Sequence, residues 1–272
     1  MASLVGGRRL LWSFVRRIAR RVSRPVEHRL VRGIRVSLGV ESEVEAFRMM
    51  TYESKEPETL DWIDEYVRPG DVFFDVGANI GVFTVYAALK GAEVFAFEPE
   101  SQNFARLNEN ILLNGCSRAK AFCVGVAEAE RLDTFFVREF VKGSAIHGLG
   151  APVDAMGVEF DPAHRQGAVV VSLDHLVYKL GLPAPNHVKI DVDGGEELVV
   201  EGGRHVFRDP CLRSVLIETT GPEDMPEGLR HLEPVATTAP ELVNREYPGV
   251  NHILIPKAAR GRPVRGMRTG SE

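Results

Sequence analysis

Three acids in this 272-residue chain stand at the ends of short apolar runs, the positions where a parallel sheet presents side chains to a ligand. Asp75 closes Val72-Phe73-Phe74 and is followed by Gly77-Ala78-Asn79-Ile80-Gly81. Glycines here let the backbone turn tightly and offer its amides, and the amino end of the next helix, to a ligand. Glu98 ends the run Glu93–Phe97, 21 residues after Gly77, where a carboxylate can accept both hydroxyl hydrogens of a ribose. Asp191 ends His187–Ile190, with Lys189 and Asp193 two residues to either side. Phosphate cradles fail on spacing. Ala78-Asn79 fills the place of the second glycine of GxGxxG, and no Gly-Lys-Ser/Thr occurs. An acid beside a glycine turn suits a cationic nucleoside better than a pyrophosphate, and S-adenosylmethionine is such a ligand.

The elements that must position these residues follow from periodicity. A helical stretch opens at Pro57-Glu58-Thr59 and stops at Pro69-Gly70. Strands are expected at Val72–Phe74, Glu93–Phe97, Ala119–Val124, His187–Ile190 and Ser214–Ile217. Helices are expected up to Leu89, over Ser101–Leu113 and over Glu196–Val206. Four- to six-residue apolar strands alternating with helices predict an α/β fold with a doubly wound, mostly parallel sheet covered on both faces. His252–Ile255 reads as a closing edge strand. Residues 131–170 break the rhythm with Gly143, Gly148, Gly150, Pro152 and Pro162 and are expected to be a hairpin-and-loop insertion before the fourth core strand, a lid over the acceptor. The expected organisation is a basic leader and connector over residues 1–51, one catalytic domain over 52–256, and a disordered basic tail over 257–272.

Charge divides sharply along the chain. Residues 1–36 hold ten arginines against Glu27, residues 257–272 hold five basic groups against Glu272, and the body between carries 18 basic and 36 acidic groups. An acidic body is a poor platform for a phosphate backbone, so no nucleic-acid partner is expected. Leu11, Phe14, Val15, Ile18 and Val22 fall on one helical face, with Arg16, Arg17, Arg20, Arg21 and Arg24 on the others. That pattern fits a helix lying on an anionic membrane surface. A packed leader helix and an organelle presequence are the other readings. The apolar segment at residues 10–15 is far short of the ~20 residues of a bilayer crossing. Cys116, Cys123 and Cys211 show no CxxC pair and no metal spacing, and read as small core residues of a cytoplasmic, reducing compartment.

Val72–Gly81, Phe97-Glu98-Pro99 and Val188–Glu196 together resemble the three signature blocks of the FkbM family of S-adenosylmethionine-dependent methyltransferases. Asn103 with Asn108 and Asn114-Gly115, Gly143-Ser144, Ser172-Leu173-Asp174 and Glu218 support the likeness, which runs from about residue 52 to 256. The resemblance implies a Rossmann-like class I methyltransferase sheet of seven strands with the last antiparallel, and methyl transfer to a hydroxyl of a small molecule or saccharide. It implies cofactor binding by Asp75, Gly77, Ala78, Asn79, Gly81, Glu98, Pro99 and Asn103. Where the family usually carries Asp-Val-Glu-Gly-Ala-Glu, this chain has Asp191-Val192-Asp193-Gly194-Gly195-Glu196.

Methyl transfer from a sulfonium needs alignment of acceptor and methyl and a group that takes the acceptor's proton. Asp191 or Asp193 is the expected proton acceptor, and Lys189 is expected to orient the acceptor or stabilise its oxyanion. A strand-end ion pair is the plain structural reading of Lys189 and Asp191. No metal is expected, although Asp191, Asp193 and Glu196 are also the donor set that would suit Mg²⁺. His147 and His164, in the insertion, are further candidate bases. A catalytically silent cofactor-binding partner and a nicotinamide-dependent oxidoreductase are the rival readings.

Overall fold

Alternation along the strands decides the layering. In β3 (Val72–Val76) Phe73 packs on one side of the sheet while Phe74 and Val76 pack on the other, and β4 (Glu93–Phe97) repeats this with Val94 against Phe95 and Phe97. One apolar layer joins these residues to Val188 and Ile190 of β10 (His187–Ile190), Val215 and Ile217 of β11 (Ser214–Thr219), and Leu173, Val199 and Phe207. The opposite layer holds Trp62, Val85 and Tyr86 together with Leu216 and Ile253. The computed structural model describes residues 25–221, 224–237 and 249–257. The amphipathic segment read over residues 10–24 and the basic tail from residue 258 lie outside the described residues.

Seven strands form the main sheet in the order β12-β13-β11-β10-β3-β4-β5, where β5 is Ala119–Phe122, β12 is Leu232–Thr237 and β13 is Val250–Pro256. Every pair from β5 to β11 is parallel, and β13 runs antiparallel to both its neighbours. The chain order reverses between β3 and β10, which makes their carboxyl ends the switch point of the sheet.

The helices are α1 (Glu43–Met50), α2 (Pro57–Tyr66), α3 (Val82–Leu89), α4 (Ser101–Leu113), α5 (Leu173–Tyr178) and α6 (Glu196–Glu201). The helix expected to reach Val206 stops at Glu201, because Gly202-Gly203 follows and a separate 3₁₀ turn forms over Val206–Arg208.

Other expectations are corrected by the structure. His252–Ile255 is not an edge: β13 lies inside the sheet and β12 is the edge, its Pro234 tolerated there beside an irregularity in register. The connector expected within residues 1–51 contains a hairpin, β1 (Val26–Val31) with β2 (Ile34–Gly39), joined at Arg32 and Gly33, both with positive φ. Asn110 of α4 and Asn114, its C-cap, clamp it, accepting from Gly39 N at 2.9 Å and Ser37 N at 2.8 Å. Cys116 is buried, but Cys123 and Cys211 are exposed. The 131–170 segment folds into β7 (Arg131–Val137), β8 (Gly148–Leu149) and β9 (His164–Val171), which with β6 (Gly125–Val126) make a four-stranded sheet of their own. Among the described residues no helix is long and apolar enough to cross a membrane.

Candidate functional site

The turn after β3 is a glycine turn for a steric reason. Gly77 has φ +81°, and a Cβ there would lie 1.7 Å from the Asp191 carbonyl oxygen, so the turn is pressed against the end of β10. Its amides do not face a ligand as expected. Gly77 N and Ala78 N donate to the Phe97 carbonyl at 3.0 and 3.1 Å, and Asn79 N donates to Glu98 Oε2 at 2.7 Å. The turn is thereby locked onto the end of β4. Gly81, also at positive φ, caps α3 and closes the turn by donating to the Ala78 carbonyl at 2.8 Å.

Glu98 is 5% exposed and accepts Asn79 N on one oxygen and Glu100 N, at 2.8 Å, on the other. Burial pushes its carboxyl up to about 8, against the pull of those two amides. Asp75 is buried one residue before the end of β3; its Oδ2 accepts from Thr84 Oγ1 at 2.5 Å while Oδ1 is buried with no partner. Burial raises the Asp75 carboxyl and the Lys189 charge opposes it.

At the end of β10, Lys189 is 1% exposed, lies 2.7 Å from Asp191 Oδ2, and sits 5.1 Å over the Phe83 ring. Burial works to lower the Lys189 ammonium, but Asp191, Glu56 and Asp75 outweigh it and hold it cationic. Burial likewise works to raise Asp191; Lys189, a hydrogen bond with Glu218 and the charge of Lys55 prevail and hold it below the usual range. Asp193 has the opposite balance. Burial and the neighbouring Asp191 charge push it up to about 6, although its Oδ2 accepts from Ile146 N at 2.7 Å. Glu218 is raised well above the ordinary value by burial and by Asp191. One pocket, open to solvent, is lined by Asp193, Glu196, Glu218, Thr219 and Ile146.

Residues 75–237 match the model of the methyltransferase FkbM domain. The chain belongs to the FkbM methyltransferase family. It is similar to the 31-O-demethyl-FK506 methyltransferase FkbM of Streptomyces tacrolimicus, 32% identical over an alignment of 157 residues, with 50% of this chain and 60% of that protein covered. It is also similar to the hexuronic acid methyltransferase AglP of Haloferax volcanii, 30% identical over 149 residues, 51% of this chain and 52% of that protein. The chain thus spans little more than half the length of either relative. Among solved structures, the methyltransferase FkbM from Methylobacillus flagellatus KT aligns at a TM-score of 0.38 and 19% identity, over 64% of this chain and 42% of that one.

In this FkbM-family chain the residues expected at the cofactor do not all face one space. Asn79 and Asn103 grip the insertion instead: both amides donate to the Ser144 carbonyl, at 2.8 and 3.0 Å, and Asn103 Oδ1 accepts from Gly143 N at 2.7 Å. The Pro99 carbonyl accepts from Gln166 Nε2 of β9 at 2.6 Å. The three acids weighed as a magnesium set engage separate partners: Asp191 takes Lys189, Asp193 takes Ile146 N, and Glu196 accepts from Val192 N and Gly194 N at 3.2 and 3.1 Å. Among the described residues no group of three or more His, Cys, Asp or Glu is arranged to hold a metal ion.

His147 is buried, with its Nδ1 accepting from Arg138 N, and burial lowers it to about 4; His164 is exposed at the start of β9. Neither is presented as a base.

Sequence reasoning missed the α1 contribution. Ser42 and Glu45 form a capping box that announces this helix, and Arg48 Nε donates to the Gly143 carbonyl at 2.7 Å. Buried Arg106, paired with buried Glu45 at 2.5 Å and with Glu109 at 2.6 Å, ties α1 to α4.

Proposed function

We propose that this chain is an S-adenosylmethionine-dependent methyltransferase acting on a hydroxyl oxygen of a small molecule or saccharide. The observation that carries the reading is the meeting of Asp75, Glu98 and the Asp191–Asp193 pair at the carboxyl ends of β3, β4 and β10, the switch point of the sheet. The donor chemistry fits the cofactor. Asp75 keeps a buried carboxylate oxygen without a partner, and the surrounding acids favour a cation over a pyrophosphate. Asp75 and the Gly77 turn would hold the cofactor's charged part and Glu98 its ribose. Bound there, it would supply an electrophilic methyl on a sulfonium to the acceptor oxygen and would leave as S-adenosylhomocysteine.

The chain's own residues manage the proton. Asp193, raised to about 6, is ionised at neutral pH yet basic enough to take the hydroxyl proton, and is the proton acceptor in this reading. Asp191, held low, is a fixed charge. Lys189 is sealed from the pocket, so it positions Asp191 and does not touch the acceptor. An oxygen acceptor accords with the relative named for a 31-O-demethyl substrate, and a saccharide with the one named for hexuronic acid.

The chain is taken as cytoplasmic, with its basic leader lying on an anionic membrane surface. Equal pelleting with anionic liposomes with and without residues 1–24, a truncation that leaves the β1–β2 hairpin whole, would remove the membrane part.

Calorimetric titration of the purified chain with S-adenosylmethionine, S-adenosylhomocysteine and NAD tests the core reading. Micromolar binding of the first two alone, followed by transfer of labelled methyl, is the expected result. Preference for NAD, or no binding to a folded chain, overturns it.

A further inference from the structure

A second space adjoins the acidic pocket and has the opposite charge. It is a solvent-open cleft of about 340 Å³ between α1 and the insertion, lined by Arg48, Lys55 and Arg138 against the single carboxylate Glu139, with Phe47 at its side. The three cations come from three separate parts of the chain, namely α1, the turn before α2, and the end of β7. Lys55 is paired with Glu56 at 2.7 Å and Arg138 with Asp154 at 3.3 Å. Arg48 has no ion-pair partner among the described residues. Its Nε is spent on the Gly143 carbonyl, which fixes the guanidinium plane and leaves both terminal nitrogens available.

Ile146 lines both spaces and donates its N–H to Asp193. A molecule lying across Ile146 therefore meets carboxylates at one end and cations at the other.

We propose that this cleft recognises an anionic group, a carboxylate in the first instance, on the methyl acceptor, so that the substrate class is acidic saccharides or acidic small molecules and not neutral alcohols. The inference rests on the methyltransferase reading above and adds to it a charge requirement and a binding register. Repulsion by Asp191, Asp193 and Glu196 drives the anion out of the acidic pocket. Attraction to Arg48 and Lys55 holds it in the cleft, and a hydroxyl on the same molecule is left facing Asp193. A planar guanidinium with two free nitrogens is suited to bidentate carboxylate recognition. Lys55 and Arg138 each hold a carboxylate already, so the unpaired cation the cleft offers an incoming anion is Arg48.

The test is direct binding to the full chain, by calorimetry or ligand-observed NMR, of methyl β-D-glucuronide and methyl β-D-glucoside, with and without S-adenosylhomocysteine. The glucuronide is expected to bind, and the glucoside at least roughly tenfold more weakly. Arg48→Gln and, independently, Lys55→Gln and Arg138→Gln are expected to erase most of that preference while leaving S-adenosylhomocysteine affinity unchanged. Lys55 is exposed, so its replacement does not threaten folding. Binding of neither sugar, or of both equally, overturns the proposal. Loss of S-adenosylhomocysteine affinity in the same variants, with the sugar preference intact, assigns the cleft to the cofactor and overturns it too. Failure of the wild-type chain to bind S-adenosylhomocysteine is a separate outcome that removes the methyltransferase reading, because the sugar comparison is also made without it.

Discussion

If Glu98 holds the cofactor's ribose, cofactor affinity must be coupled to a proton. The carboxyl is 5% exposed and raised to about 8 by burial, so at neutral pH the free protein holds it mostly protonated. A protonated carboxyl cannot accept from both ribose hydroxyls, and binding in that mode must first release the proton. Apparent affinity then scales with the ionised fraction. It rises about tenfold per pH unit below 8, roughly 1.4 kcal/mol per unit, and levels off above it. Between pH 6 and pH 9 the gain is on the order of 100-fold. Calorimetry in buffers of differing ionisation heat measures both the slope and the proton released. The amino-acid part of the cofactor carries an α-amino group that itself titrates near 8, so 5′-methylthioadenosine, which keeps the ribose and lacks that group, is the decisive probe. Glu98→Gln is expected to bind weakly and without slope. Affinity for 5′-methylthioadenosine that is flat from pH 6 to pH 9 in the wild-type chain, or that falls as pH rises, refutes the ribose assignment.

Three further outcomes follow from the geometry. Asp193→Asn is expected to lower methyl transfer by about 10²- to 10⁴-fold, and the wild-type kcat/KM to fall below pH about 6, as the base protonates. Persistence of that limb in the variant, read as S-adenosylhomocysteine formation across pH, would move the role elsewhere. Gly77→Ala drives a Cβ to 1.7 Å from the Asp191 carbonyl at positive φ; the loss should exceed about 2 kcal/mol and show as a lower melting temperature together with lost cofactor binding. Arg106→Met strands the fully buried Glu45 carboxylate and should cost about 3–5 kcal/mol, whereas Arg106→Met with Glu45→Met should recover much of it in thermal denaturation.

What was legible in the sequence is what a strand end makes local. Asp75, Glu98 and Asp191 stand out because each closes a short apolar run, and the fold class because those runs alternate with helices. Where the amides of Gly77, Ala78 and Asn79 point was not legible: they turn to Phe97 and Glu98 on the neighbouring strand, and that pairing exists only once β3 lies beside β4. The grip of Asn79 and Asn103 on Ser144 is not legible either, because the carbonyl they share lies 65 and 41 positions away. The β1–β2 hairpin was hidden by its arginines. Its alternation of Val31, Ile34, Val36 and Leu38 about Arg32-Gly33 is a strand signal, but the net charge of the segment drew the reading toward a basic leader.

If Asp193 is the proton acceptor, as proposed, the insertion tunes it. Asn103 donates to the Ser144 carbonyl and accepts from Gly143 N, and two residues on, Ile146 N donates to Asp193. Asn103→Ala leaves Gly143 N without its acceptor and takes one of the two donors from the Ser144 carbonyl, at a cost of about 1–3 kcal/mol for a buried group left unpaired. The 143–146 segment then loosens, and with it the hydrogen bond that favours the charged form of Asp193. Losing a donor to a carboxylate raises its pKa, so the acid limb of kcat/KM should move upward from about 6. Amide exchange at residues 143–146 should quicken while β3 and β4 keep their protection. A variant with faster exchange there and an unmoved limb would mean that burial and Asp191 alone set the base. An unmoved limb with unchanged exchange would mean that Arg48, through the Gly143 carbonyl, holds the loop without Asn103.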